Sequence, residues 1–317
     1  VVTGSDHLAI DRADTGAVKF TNCIVKEETK NITQNSKLTV INYSTDSISQ
    51  KLVWSFDGAR YKIIPTEIPL NVSPENKNDY TFKFTVLNGS DIYPLPQFKL
   101  AYPFAYGKVC TLRNGLSLTR LKNVAKITVP PTIDGSLADG VWKKLKPITN
   151  LARYDGIALT PTDPTEVYLA HDKENLYIGA RCYEKDLSKL KAVATEHDGA
   201  TYMDDNIWFF FDSDFDKETY YQVIISSNGT VFDRLCSLKD GKSTKDPKWN
   251  GPWDIKSGRE ANAWVLEIKI PKKGLEPFSE KRWGFNFRRL QTRVGDAGYW
   301  SLPFGHDPKT FGIIEFE

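Results

Sequence analysis

The chain has 317 residues, more than one domain of ordinary size holds, so two domains are expected. Its 42 basic and 40 acidic side chains leave a formal charge of +2, which gives no electrostatic reason to expect nucleic acid or an anionic membrane as partner. No apolar run approaches the ~20 residues that span a bilayer, no secretion signal is evident, and a chain opening on Val1 is expected to be a mature or excised form.

Eight Trp, 14 Tyr and 17 Phe stand against a single Met. Aromatic-rich β cores, with a few rings left to line a ligand surface, are the expectation. The four Cys at 23, 110, 182 and 236 lack metal-ligand spacing. Two fall in each half, so one bridge per domain and buried free thiols both stay open. Asn-x-Ser/Thr triplets begin at Asn31, Asn42, Asn71, Asn88 and Asn228, and matter only where a secretory host glycosylates them.

In chain order, residues 1 to about 16 are polar without a clear period and read as a linker or a frayed start. Short strands follow at 18–27, 37–43, 48–56, 61–64, 79–87, 108–112 and 116–121, separated by Gly, Asn and Pro. Tyr93-Pro94-Leu95-Pro96 cannot be a central strand, because two prolines remove ladder donors. This pattern predicts an all-β sandwich of immunoglobulin size over residues 1–126, similar in pattern to bacterial immunoglobulin-like spacer domains. Pro130-Pro131 marks the boundary. Beyond it, a turn and a short helical segment carry Trp142 into a core, and strands are predicted at 166–171, 176–184, 263–270 and 283–290. Trp249 and Trp253 lie in a loop rich in Pro and Gly and are expected to anchor it over a core.

The second half is organised around residues 202–232. Alternation puts Ile207, Phe209 and Phe211 on one face of a strand and Asn206, Trp208 and Phe210 on the other. A second strand, 220–226, ends at Asn228-Gly229, which predicts a tight type I′ hairpin. One face should be buried and one decorated.

Several stretches of this half occur in the order of a known family. Ile133-Asp134-Gly135 with Asp139 and Trp142, Leu176-Tyr177-Ile178, and Tyr202-Met203-Asp204-Asp205-Asn206-Ile207 come first. Trp264-Val265-Leu266-Glu267-Ile268 with Pro271, Gly284-Phe285-Asn286-Phe287-Arg288, and Phe311-Gly312-Ile313-Ile314-Glu315-Phe316 follow. Residues 127–317 thereby resemble family 9 carbohydrate-binding modules. The resemblance implies a two-sheet β-sandwich, appended to glycoside hydrolases and often binding calcium, that clamps a sugar ring between two aromatic side chains. Position by position, the clamp rings would be Tyr202, ahead of the acidic pair, and Trp300, ahead of the closing strand. Sugar C–H faces are apolar and slightly positive, which suits an aromatic face. The sequence departs from the family at Trp208, which stands where sugar-binding members carry a Glu.

Each candidate has an alternative. Tyr202 and Trp300 could be structural edge rings, and Trp208 could pack under a loop or extend a platform. Asn286 and Arg288 share a strand face that suits vicinal hydroxyls or is simply solvated. Asp204 and Asp205 point to opposite faces, so they cannot flank one glycosidic bond as acid and nucleophile. Asp212-x-Asp214-x-Asp216 resembles the start of a calcium loop but has Lys217 and Val223 where an EF-hand needs Gly and Glu. A calcium site around Asp212, Asp214 and Asp216, or around Asp204 and Asp205, is therefore one expectation and an acidic turn the other. The four His are scattered, and no nucleophile triad or phosphate loop is present.

Together these readings predict two tandem β-sandwiches with a non-catalytic carbohydrate-binding role. The chain would be the ancillary part of a larger secreted or cell-surface glycan-degrading protein, with other domains of that parent as partners. A structural adhesion module with a vestigial site is the alternative. A third is a haem b sandwich using Met203, since some sandwich relatives ligate haem through Met with His or Lys.

Overall fold

The computed structural model describes residues 7–10, 17–104, 108–153 and 163–317, and the chain divides into two compact units, 1–118 and 119–317. In the first unit the strands are β1 (His7–Ile10), β2 (Val18–Phe20), β3 (Cys23–Lys26), β4 (Lys30–Ile41) and β5 (Ile48–Val53). They continue as β6 (Tyr61–Ile64), β7 (Glu67–Val72), β8 (Lys77–Asn88), β9 (Gln97–Phe104) and β10 (Lys108–Gly115). One sheet runs β2-β4-β8-β6; the others are β5-β7 and β1-β10-β9. Their alternating residues Leu38, Val40, Phe82, Phe84 and Val86 are buried, and Trp54 sits 5.1 Å from both Phe82 and Phe98. Sequence reading missed β7, which carries Pro69; among the described residues the strand pairs only with β5, where a lost donor is tolerated. Residues 93–96 lie outside any strand, as expected.

In the second unit the strands are β11 (Leu118–Lys126), β12 (Thr165–His171), β13 (Asn175–Tyr183), β14 (Asn206–Asp212), β15 (Thr219–Ser226) and β16 (Val231–Lys239). Then come β17 (Lys242–Asp246), β18 (Asp254–Arg259), β19 (Ala263–Pro271), β20 (Arg282–Gln291), β21 (Asp296–Tyr299) and β22 (Gly312–Phe316). One layer runs β17-β16-β15-β14-β20-β22, the other β12-β13-β19-β18. β11 joins them, pairing parallel with β22 along Leu121 to Val124 and with β12 at Ala125 and Lys126. The compact unit thus starts at Thr119 rather than at 127, because β11 belongs to its ladder.

Between the layers, Ile207, Phe209, Phe211, Val223, Phe285 and Phe287 meet Val167, Leu169, Ile178, Leu266 and Ile268 in one core. These are the inward positions of each strand, as the period of two requires. Trp249 and Trp253 pack on this core through Tyr221 and Phe211, at 4.7 and 5.9 Å, as loop anchors. All four cysteines are buried and free. The hairpin after β15 forms, but only Gly229 takes a positive φ (88°) while Asn228 does not. The turn is therefore not type I′; the Asn228 side chain instead reaches the Ala194 carbonyl at 2.8 Å.

The outer face of the β12-β13-β19 layer is closed by the segment ahead of β12. Helix α1 (Gly140–Lys144) delivers Trp142 onto Tyr168, Ala170, Tyr177 and Val265. Buried Glu267 accepts from Trp142 Nε1 at 2.8 Å and from the backbone N–H groups of Asp134, Gly135 and Ser136 at 3.0, 2.9 and 3.2 Å. Gly135 has φ 86°, and a Cβ there would stand 2.7 Å from the Ser257 carbonyl, so this turn needs glycine. Among the described residues no helix is long and apolar enough to cross a membrane.

Candidate functional site

The outer face of the other layer is built differently. Register places Phe232, Ile224, Trp208, Arg288 and Tyr299 in one cross-strand row over β16, β15, β14, β20 and β21. Arg234, Gln222, Phe210 and Asn286 form the next row, and Cys236 beside Lys245 continues toward β17. The Arg288 guanidinium lies 3.7 Å over the Trp208 ring, and that of Arg234 lies 5.5 Å over Phe232. Arg234 Nε donates to Gln222 Oε1 at 2.6 Å. After β21 the tail folds Phe304 and His306 onto Phe210, at 5.2 and 5.5 Å. His306 Nδ1 faces the Tyr220 hydroxyl at 2.8 Å. Burial, with Lys245, Arg234 and Arg288 nearby, holds the His306 imidazole neutral and pushes its pKa down to about 4. Trp208 Nε1, Arg288 Nε and Gln222 Nε2 have no hydrogen-bond partner among the described residues. The row ends half-buried rather than covered: Trp208, Phe232, Arg234, Arg288 and His306 all keep partial exposure.

The expected site residues separate. Trp208 and Arg288 meet on this face. Tyr202 lies on a 3₁₀ turn, Thr201–Met203, that packs against β14, β15 and β16, and is half exposed, as is Met203. Trp300 is not a clamp ring. It is fully buried between the layers, stacked 6.0 Å from Phe287 at 12° and 5.4 Å from Phe285. The cause is parity: Tyr299 pairs with Arg288, so the next residue points inward, where Gly312 leaves room for the indole. Asn286 is also fully buried and is not a ligand contact; its side chain exchanges hydrogen bonds with the Ser301 backbone at 3.0 and 3.1 Å. Sequence reading missed Phe232, Arg234, Gln222, Phe304 and His306. Parity from Trp208 across the hairpin could have found the first three; the tail pair had no local signal.

Asp204 and Asp205 are buried clasps rather than metal ligands. Asp204 accepts from Val193 N, Ala194 N and Ser226 Oγ, each at 3.0 Å. Asp205 accepts from Lys191 N at 2.8 Å and from Thr292 N and Oγ1 at 2.9 and 2.6 Å. Their oxygens are spent on the protein. Asp212, Asp214 and Asp216 do converge, one carboxylate oxygen of each lying within 4.8 Å of the others. Burial, and then the charges of Asp216 and Asp214, push the Asp212 carboxyl up to about 7 despite the Lys217 N–H at 3.1 Å. Three converging carboxylates with one desolvated fit a hard divalent cation. His197 with Asp198 and Asp233 also converges, but each ring nitrogen faces a different carboxylate, at 3.3 and 3.5 Å. That is the geometry of an imidazole bridging two acids. A cleft of about 580 Å³ between residues 126–132 and α1 lacks any aromatic side chain.

A two-layer β-sandwich with one face closed by its own chain and one face of aromatic and basic side chains defines a class of binding domain. The sequence matches the carbohydrate family 9 binding domain-like family over residues 133–301, more than half of the chain, and the chain belongs to that family. Among solved structures it is similar to a candidate carbohydrate-binding protein from Bacteroides uniformis, with TM-score 0.50 and 16% identity, covering 63% of this chain and 100% of that one. A family 9 carbohydrate-binding module from Caldicellulosiruptor kristjanssonii, solved with cellotriose, gives TM-score 0.46 and 18% identity over 62% of this chain and 93% of that one. The same module with glucose gives TM-score 0.46 and 18% identity over 62% and 95%. No curated protein matches the chain.

Proposed function

We propose that the outer face of β14, β15, β16 and β20 binds a poly- or oligosaccharide without cleaving it. The observation that supports this most is the Trp208–Arg288 pair, an aromatic ring and a guanidinium 3.7 Å apart that both keep partial exposure on the outer face. Flat rings bind sugar C–H faces and guanidinium forks bind hydroxyl pairs. Tyr202 offers a further exposed ring. In this reading the domain is the ancillary part of a larger secreted glycan-degrading protein, and the first unit is a spacer. Asp212, Asp214 and Asp216 would hold calcium, which would fix the turn between β14 and β15 and take no part in recognition.

Trp208→Ala tests the reading by affinity electrophoresis against a panel of soluble polysaccharides. Removing a contact ring costs about 1–3 kcal/mol, so binding should weaken by roughly 5- to 150-fold. Wild-type protein that binds no member of the panel sinks the proposal and favours an adhesion module.

A further inference from the structure

From the charge on the same face we infer that its ligand is an acidic glycan, one carrying carboxylate or sulfate groups; this rests on the carbohydrate reading above. Register sets Arg288 beside Trp208, Arg234 beside Gln222 in the next row and Lys245 beside Cys236, so three cationic side chains stand over one region of the sheet, and all three bear on His306. Among the described residues, none of the three has a carboxylate within ion-pairing distance, although ion pairs are formed elsewhere in the unit by Arg181, Arg282 and Arg293. The nearest acid in the same strand column, Asp212, is buried, and desolvation favours its neutral form.

The cations are also held in place. The Arg288 guanidinium sits 3.7 Å over the Trp208 ring and Arg234 is tethered to Gln222, so little side-chain freedom remains to be lost on binding. Arg288 is largely desolvated and its guanidinium correspondingly disfavoured, a condition that an anion relieves and a neutral sugar does not. Planar guanidinium groups fit carboxylate and sulfate oxygens in pairs. A ring platform beside two such forks therefore matches a pyranose that bears an anionic substituent.

The experiment is affinity electrophoresis of the whole chain through gels containing polygalacturonate, dextran sulfate, uncharged dextran or a neutral β-glucan. Retardation by a charged polymer at least about tenfold stronger than by the neutral ones is expected, weakening as salt is raised. Polygalacturonate and dextran sulfate tell carboxylate from sulfate as the source. Arg234→Gln and Arg288→Gln should each weaken binding about 5- to 10-fold, whereas Lys143→Gln, on the closed side, should not. Arg234→Gln carries the test if Arg288→Gln melts early. Equal binding of neutral and charged polymers overturns the acidic ligand but leaves carbohydrate binding standing. Charged-polymer binding that survives both arginine variants also overturns it. Binding to no polymer removes the carbohydrate reading itself.

Discussion

The second unit has two outer sheet faces made from similar parts, and they end in opposite states. On the β12-β13-β19 side, buried Glu267 has four donors and Trp142 Nε1 has its acceptor. On the β14-β15-β16-β20 side, Trp208 Nε1, Arg288 Nε and Gln222 Nε2 lack partners among the described residues. Burying a polar group without a partner costs about 1–3 kcal/mol, so a face that keeps three such groups is tolerated only where something else repays it. Buried atoms without a partner also occur in the closed core, as at Trp264 Nε1, so it is the partial exposure of Trp208 and Arg288 that separates the open face from the closed one.

The comparison predicts opposite responses to truncation. Glu267→Ala strands Trp142 Nε1 and the Gly135 N–H, leaves Asp134 N and Ser136 N to their second acceptors, and should cost about 3–5 kcal/mol in denaturant unfolding. Trp300→Ala should cost a similar amount, since a Trp in a packed core typically loses about 3–5 kcal/mol. Trp208→Ala should cost only about 1 kcal/mol or less, because its ring is half-exposed. A loss at Trp208 equal to that at Glu267 would make both faces structural.

A second test concerns what holds the two layers together. Residues 119–317 should melt cooperatively alone, while 127–317 should melt lower or aggregate. The shorter fragment loses β11, and with it the partner of β22 along Leu121 to Val124, the buried Val124 and the Arg120 contact to the Trp300 carbonyl. It also exposes a strand edge. Equal melts for the two fragments would show that β11 is dispensable and that Pro130-Pro131 is the working boundary.

How much of this was legible follows from parity. Alternation assigned Ile207, Phe209 and Phe211 inward and Trp208 outward, because cross-strand period is a local property of the chain. The same rule applied to the tail would have moved Trp300 into the core, but β21 is only four residues long and Asp296-Ala297-Gly298-Tyr299 shows no apolar alternation, so no local pattern set its phase. In sequence Asp204 and Asp205 look like candidate calcium ligands, because the loop N–H groups they bind belong to the distant residues 191, 193, 194 and 292. Strand β18 was missed for a related reason: Asp254 to Arg259 has no alternation, being an edge that only Ile255 ties to the core. The positive charge of the open face was also out of reach, since Arg234, Lys245 and Arg288 come from three strands.

Calcium should sharpen the contrast at the open side. Asp212 stands in the same strand column as Trp208 and Phe210, at the end where Asp214 and Asp216 converge. A cation that binds only the folded state stabilises by about 2.7 kcal/mol at a hundredfold excess over its Kd. The melting temperature should therefore rise with calcium and fall with chelator, and Asp214→Asn with Asp216→Asn should abolish the shift. A melt indifferent to calcium would leave these residues as an acidic turn.

The smallest effect expected is proton-linked and confined to the open face. His306 has its pKa pushed from 6.5 to about 4 by burial and by Lys245, Arg234 and Arg288. A base depressed in the fold is neutral there while the unfolded chain still takes up a proton. Its contribution is thus complete above about 6.5 and is lost as pH falls toward 4, the unfolded state binding more protons across that window. Because the ring is partly exposed, the loss should be about 1–2 kcal/mol. On the closed face, burial and Glu166 push the Tyr168 hydroxyl up to about 12, so it does not titrate in this range. Other acids titrate near 4, so the informative quantity is the difference between wild type and His306→Gln, followed by denaturant unfolding at pH 7, 6, 5 and 4.5. Wild type should lose more stability than the variant as the pH falls. Parallel curves would mean that His306 is not enclosed by those three cations, and the charged face would lose one of its supports.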